Sequence, residues 1–263
     1  MPGATAVVHT LGTLLEDTRY KSALKEGNVS GLVGAFISSI AEGSCGRNPL
    51  EEPKKGSNSY EVLNRDAALR VCETFLASEP EVEIEGPRPF VYVSAEDIFR
   101  PVIPARYIET KREAEVCIEE MIQDNPKFRG VYIRPSLIYH PHFRPLTSPI
   151  AAALDLSATI HSKLPSSIPT PSSFLRSLSP AFKSSEEYPL VSPSPFDSVA
   201  NALTIPPIHV DHVAEAAIIA AENERIDVSG VYGVDEMREL IGWVKKGQAE
   251  VDPSHVERLR QHA

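Results

Sequence analysis

The sequence predicts an α/β domain built on a parallel sheet, with a smaller lobe toward its C-terminus. Three features of the chain carry this. Short, nearly continuous apolar runs recur at Ala4–Thr10, Phe90–Ser94 and Phe128–Arg134, as expected of strands covered on both faces. Amphipathic stretches of helical period lie between them, over Ser59–Ser78 and onward from Tyr107. From Ser157 to Pro207 the composition shifts to dense Ser and Pro with interleaved apolar residues.

A chain of 263 residues is long enough to bury a sizeable core. A formal net charge of −10, with Lys and Arg scattered rather than clustered, argues against nucleic acid as a partner. Cys45, Cys72 and Cys117 are odd in number and lack metal-ligand spacing, which fits free thiols in a reducing compartment. The longest apolar runs are broken by charge or Pro before they could span a bilayer. Met1-Pro2-Gly3 leads straight into the first strand without a basic amphipathic leader, so any organellar address is expected upstream.

Taken in order, Ala4–Thr10 reads as a buried strand closed by Leu11-Gly12. Gly27, Gly31 and Gly34 have the wrong spacing for a Gly-x-Gly-x-x-Gly turn, and no strand precedes them, so a loop or helix start is expected. Glu42–Ser57 reads as a solvated loop. Tyr60, Leu63, Ala67, Val71 and Phe75 recur at helical spacing, with Asn58 or Ser59 as the cap. The acidic, Pro-punctuated Glu79–Pro89 leads into the Phe90 strand. Pro should keep helices short across Ser157–Pro207. Two readings of that stretch stand side by side: a partly disordered insertion, or a lobe anchored by Phe174, Leu175, Phe182, Leu190 and Phe196. Asp211 is expected to cap a helix from Val213 to Glu222, followed by a strand over Gly230–Val234 and a helix through Trp243. Beyond Lys245 the charged tail is expected to be exposed.

Chemistry enters at Tyr107 and Lys111. Four residues apart on a helix they share a face, where an ammonium favours the phenolate form of a neighbouring tyrosine. A free phenol titrates near pH 10, so a tyrosine working as acid or base near neutrality needs such help. His209-Val-Asp-His212 and His140-Pro-His142 invite a metal reading; Pro141 splays the second pair, and no metal is expected.

Together with Val7-Val8-His9-Thr10-Leu11-Gly12, Ser59 to Asp66, Arg134-Pro135-Ser136-Leu137-Ile138-Tyr139 and Pro207 to Ala214, the Tyr-x-x-x-Lys pair resembles the extended and atypical short-chain dehydrogenase/reductase family, also called epimerase/dehydratase-like. The likeness runs from about Ala4 to Trp243, and its wording is similar to the fungal mitochondrial ubiquinone-biosynthesis branch of that family. It implies a Rossmann-like, doubly wound sheet. Residues 1–150 would form part of an NAD(P)-binding domain, 151–207 a Ser/Pro-rich insertion or substrate lobe, and 208–263 the completing segment. Tyr107, Lys111 and Ser94 would be catalytic, although aligning on Ile98-Phe99 puts Ala95 at the hydroxyl position. Leu11, Gly12, Tyr107, Lys111, Pro135 and Leu137 would line NAD or NADP. Asn64 would hold backbone near the site, and His209 and Asp211 belong to a structural loop leading into the next helix.

The resemblance also implies mitochondrial location, on the matrix side of the inner membrane. Its partners would be proteins of a ubiquinone-biosynthesis or respiratory complex, with a hydrophobic quinone-like ligand and peripheral membrane contact. One part of the pattern is missing: the Gly-rich strand-turn-helix that holds pyrophosphate. The first strand here corresponds to the family's fourth, which leaves Ala4–Thr10 as an open edge. A truncated product or incomplete gene model is therefore expected, and tight NADPH binding by the chain alone would refute that. Two functions stay open: an NAD(P)-binding accessory protein of ubiquinone biosynthesis, weakly or non-catalytic, and an active NAD(P)H-dependent oxidoreductase or epimerase acting on a prenylated or other hydrophobic substrate.

Overall fold

The structure, a computed structural model, describes residues 3–14, 59–98, 100, 102–141, 147–165, 168–179 and 194–243. The glycine segment 27–34, the loop 42–57, Asn58, Cys45, Phe99, His142, Phe182, Leu190 and the tail beyond Lys245 lie outside the described residues.

Four strands form one parallel sheet: β1 (Val7–His9), β2 (Arg88–Val93), β3 (Phe128–Ile133) and, fourth in the sheet, Gly230–Tyr232, in the spatial order given. Val7 pairs with Phe90, Phe90 with Gly130, and Val131 with Gly230. Parallel neighbours need crossovers, and helices supply them on both faces. The first is α1 (Ala67–Leu76), entered through a wide π-helical turn at Glu61–Asp66; the second is α2 (Ala105–Ile122). Downstream of β3 come β4 (Ile138–Tyr139), α3 (Thr147–Lys163), α4 (Pro171–Leu178), α5 (Pro195–Thr204), β5 (Ile208–His209) and α6 (Val210–Ala221). The Gly230–Tyr232 strand, β6, and α7 (Val234–Leu240) follow; β4 and β5 pair as a separate two-stranded parallel sheet.

Period-two alternation splits the core into two layers. Phe90, Tyr92, Phe128 and Tyr132 pack with Ala68, Cys72 and Phe75 of α1 and Ala114 and Ile118 of α2. Val91, Val131 and Ile133 pack with Val213, Ala216 and Ala220 of α6 and Met237 of α7. The strand openings are clamped in the same alternating way. Arg88 donates to the carbonyl of Ser78, just past α1 (2.7 Å), and Arg129 donates to that of Glu222, just past α6 (2.6 Å). Each cation thus meets the negative end of the helix on its own face.

Gly130 is fixed by packing, since a Cβ there would lie 2.5 Å from the Tyr132 hydroxyl oxygen. Among the described residues β1 has a neighbour on one side only, and Val8 stays 42% exposed there.

Two local expectations are corrected. Asp211 does not cap the helix after β5. His209 does, its Nδ1 accepting the Asp211 N–H (3.3 Å), so the helix begins three residues earlier, at Val210. Phe174 is no anchor, being 63% exposed on α4. The helices that Pro171 and Pro195 open, α4 and α5, are short, and each Pro occupies a first turn where its missing N–H costs nothing. The lobe helix α5 docks on the loop after β2: Ser198 Oγ accepts the Arg100 N–H (3.0 Å), and Asn201 Nδ2 donates to the Asp97 carbonyl (3.1 Å). Among the described residues no helix is long and apolar enough to cross a membrane.

Candidate dinucleotide-type site at the strand ends

Gly12, Ser94-Ala95 and Pro135 follow the C-terminal ends of three adjacent parallel strands, β1, β2 and β3. In open α/β sheets this is the edge where ligands bind. The β3 end is tied to its neighbours by backbone. Pro135 O accepts the Glu96 N–H (2.9 Å), and Leu137 O accepts the Ile208 N–H of β5 (3.0 Å).

Helix α2 lays Tyr107 and Lys111 along this edge. Both are buried. Lys111 Nζ donates to the last carbonyl of β2, Val93 O (2.9 Å), and stands 4.8 Å over the Tyr92 ring. Among the described residues it has no ion-pair partner. Burial therefore pulls its pKa down from 10.5 to about 8, against the more distant pull of Glu115. Tyr107 sits in an apolar cluster with Tyr60, Ala95, Ile103 and Ile108, its ring edge-on to that of Tyr60 at 6.2 Å.

Asn64 holds the segment after β1. Its Oδ1 accepts the Thr13 N–H (2.7 Å), its Nδ2 donates to Thr13 O (3.2 Å), and its own carbonyl accepts from the Tyr92 hydroxyl. The wide turn Glu61–Asp66 points it inward, and it is fully buried. Gly12 is thereby pressed against the lysine: a Cβ on Gly12 would meet Lys111 Nζ at 2.9 Å and Asn64 Oδ1 at 3.0 Å. Leu11 is 51% exposed beside it. With no Cβ, Gly12 lets the backbone lie directly against a buried ammonium that has donors to spare.

Ser94 is placed elsewhere. Its Oγ accepts from Arg112 Nη1 (3.1 Å), and Arg112 also holds the Ala95 carbonyl (2.9 Å) and Glu115 (2.7 Å), which pairs in turn with Arg134. The hydroxyl expected beside Tyr107 is committed to this buried ionic group, and the side chain that joins the Tyr107 cluster is the methyl of Ala95. Arg112 and Glu115 went unnoticed in the sequence as site-forming residues, although their spacing of three on a helix is an ion-pair signal.

His9 was also missed, and a histidine ending an apolar strand was the available signal. It is 7% exposed, its ring stacks on Tyr92 at 5.7 Å, and Nδ1 has no hydrogen-bond partner among the described residues. Burial, then the Lys111 charge, lowers its pKa to about 4.

His140, His209 and His212 form an aromatic run. His209 lies 5.3 Å from His140 and 5.8 Å from His212, which abuts Trp243 at 5.0 Å. His209 Nδ1 is already engaged as the helix cap, accepting the Asp211 N–H. Among the described residues no three His, Cys, Asp or Glu are grouped to hold a metal.

No family model matches the chain. MIOREX complex component 2 of Saccharomyces cerevisiae (strain ATCC 204508 / S288c) is 37% identical over 146 residues, covering 53% of this chain and 49% of that protein. The chain thus spans about half the length of that relative. Among solved structures, UDP-glucuronic acid 4-epimerase from Bacillus cereus, in complex with NAD, is similar at 11% identity and a TM-score of 0.30, over 80% of this chain and 72% of that one. That likeness is too remote to argue from. The doubly wound parallel sheet stands on the topology itself.

Proposed function

We propose that the chain is an NAD(P)-binding accessory protein, built on a short-chain-dehydrogenase-like scaffold, that retains the ribose end of the cofactor site and has lost an efficient catalytic centre. Two observations support this reading. The Gly12 backbone lies against the Lys111 ammonium, and it is Ala95, not Ser94, that joins the Tyr107 cluster, Ser94 being held by Arg112.

Lys111 would donate to ribose hydroxyls, Gly12 and Leu11 would receive the sugar from the side of β1, and Pro135 and Leu137 would flank the nicotinamide. When bound, the nicotinamide supplies hydride chemistry. No pyrophosphate-holding turn lies among the described residues, so the cofactor is expected to bind weakly. The choice between NAD and NADP is left to the part of the ligand beyond this cradle.

The relative in the MIOREX complex supports a role inside a protein assembly. The sequence resemblance adds the mitochondrion and ubiquinone biosynthesis as its setting, with peripheral membrane contact and a quinone-like ligand. A second reading keeps Tyr107 as a working acid or base on a hydrophobic substrate, favoured by a buried Lys111 one helical turn away with its pKa drawn toward 8.

Tyr107→Phe separates the two in cells that depend on this protein. Unchanged ubiquinone synthesis supports the accessory role, and loss of synthesis with protein abundance intact supports catalysis. Absence of any ubiquinone defect on deleting the whole gene would remove the pathway from the proposal.

A further inference from the structure

Helix α3 is apolar on the side it buries and apolar again on the side it turns to water. Ala151 and Ala158 are buried on its inner side, and Ser157 Oγ ties the helix to α5 by donating to the Leu203 carbonyl (2.9 Å). Opposite the buried alanines, at alternating steps of four and three, stand Pro149, Ala153, Leu156 and Ile160, all exposed, Leu156 at 61% and Ile160 at 48%. Over its 17 residues α3 has a single acid, Asp155, to one side of this row, and its Lys163 comes only after the row's end. A helix that is apolar all round belongs in an interior, so the outer side calls for a cover.

The row is complementary to itself. Steps of four and three make a straight seam of coiled-coil type. When two such helices lie antiparallel with Ala153 of one against Leu156 of the other, the same two-fold axis sets Pro149 against Ile160. Every layer then pairs a small or cyclic side chain with a long one, the alternation that lets facing layers interdigitate. A parallel register would set Leu156 on Leu156 and Ala153 on Ala153, crowding beside a gap. Charge points the same way. The chain carries a formal net charge of −10, so copies repel one another, and they repel least along a row that holds no acid.

We propose that a second copy of this chain covers the face, α3 against α3 in this antiparallel register. The contact is small. From Pro149 to Ile160 the seam runs about 16 Å, and one helix pair buries less than the roughly 1,200–2,000 Å² of a long-lived interface. The dimer is therefore weak, with Kd on the order of 0.1 mM. It does not involve the Lys111 cradle and stands whether or not a dinucleotide binds.

Sedimentation equilibrium of the whole chain, from about 10 to about 500 µM so as to bracket that Kd, tests this at low and at high salt. The expected result is a monomer–dimer equilibrium that tightens as salt rises, because screening removes the repulsion between acidic copies. Leu156→Glu should raise Kd at least about tenfold, with helix content unchanged by circular dichroism, since that side chain is already exposed. Ala153→Leu sets leucine on leucine and should weaken the dimer. Ala153→Leu combined with Leu156→Ala should restore it, because the same layers return with their members exchanged. A wild type that stays monomeric at the highest concentration overturns the proposal and leaves the face to a helix of another protein. So does a dimer that Leu156→Glu leaves unchanged, one that salt dissolves, or a double variant no tighter than Ala153→Leu alone.

Discussion

Replacing Lys111 with Met removes a buried charge while keeping the length of the side chain, and it should stabilise the protein near neutral pH. The drop in pKa from 10.5 to about 8 corresponds to roughly 3 kcal/mol of disfavoured charge in the folded state. Against this, Met leaves Val93 O without its donor, a loss of about 1–2 kcal/mol. The net expectation is a gain of roughly 1–2 kcal/mol at pH 7, a few degrees in Tm. The pH dependence is the sharper signature. Between pH 8 and 10.5 the unfolded chain holds the lysine proton and the folded chain does not, so wild-type stability rises with pH across that window. Below it the cost of burial is fully present, and above it that cost is gone. The advantage of Lys111→Met should therefore shrink by roughly 3 kcal/mol from pH 7 to pH 10.5 and change sign. Urea denaturation of both proteins across this range reads it directly. A destabilised variant at pH 7, or a difference that stays flat from pH 8 upward, would refute a desolvated, unpaired ammonium at this position.

Further expectations follow from the same geometry. His9 is held neutral, with its pKa lowered to about 4, so the wild type loses stability as pH falls from 6.5 through 4. His9→Gln should remove about 1–2 kcal/mol of that acid-linked loss after solvent screening, read as thermal melts at pH 7 and pH 4.5. Ser94→Ala should cost about 1 kcal/mol by freeing one Arg112 bond and leave NADPH binding unchanged. A loss of binding in that variant would return Ser94 to the site. Gly130→Ala would force a Cβ to within 2.5 Å of the Tyr132 hydroxyl oxygen, which is held by Glu119 at 2.7 Å. It should cost roughly 1–3 kcal/mol in urea denaturation.

What could be read from the chain follows its periodicities. β2 and β3 were plain because continuous apolar runs have few other uses, and the helix over Tyr60 to Phe75 declared itself by its stripe. Helix α2 was located by the same logic, which placed Tyr107 and Lys111 on it. The failures came where distant segments meet. Ser94 has the parity that turns it toward α2, but the helix presents Arg112 there. Tyr107 lies five residues earlier, about 7.5 Å along the helix axis, and no local pattern reveals that offset. The bond from Asn64 to Thr13 joins residues 51 apart in sequence, so only the fold shows why that asparagine is buried. His209 displaced Asp211 as a cap because its ring nitrogen can mimic a carboxylate oxygen, a substitution that capping preferences do not rank.

The cradle formed by Gly12 and Lys111 is tested most directly by saturation-transfer NMR of the wild-type chain with NADPH, beside Gly12→Val. The expected result is saturable binding with Kd on the order of 0.1–1 mM, about −4 to −5.5 kcal/mol, with the strongest transfer to the nicotinamide ribose and loss of the signal when valine fills the cradle. Absence of saturable transfer in the wild type, or binding that persists unchanged in Gly12→Val, would contradict the account.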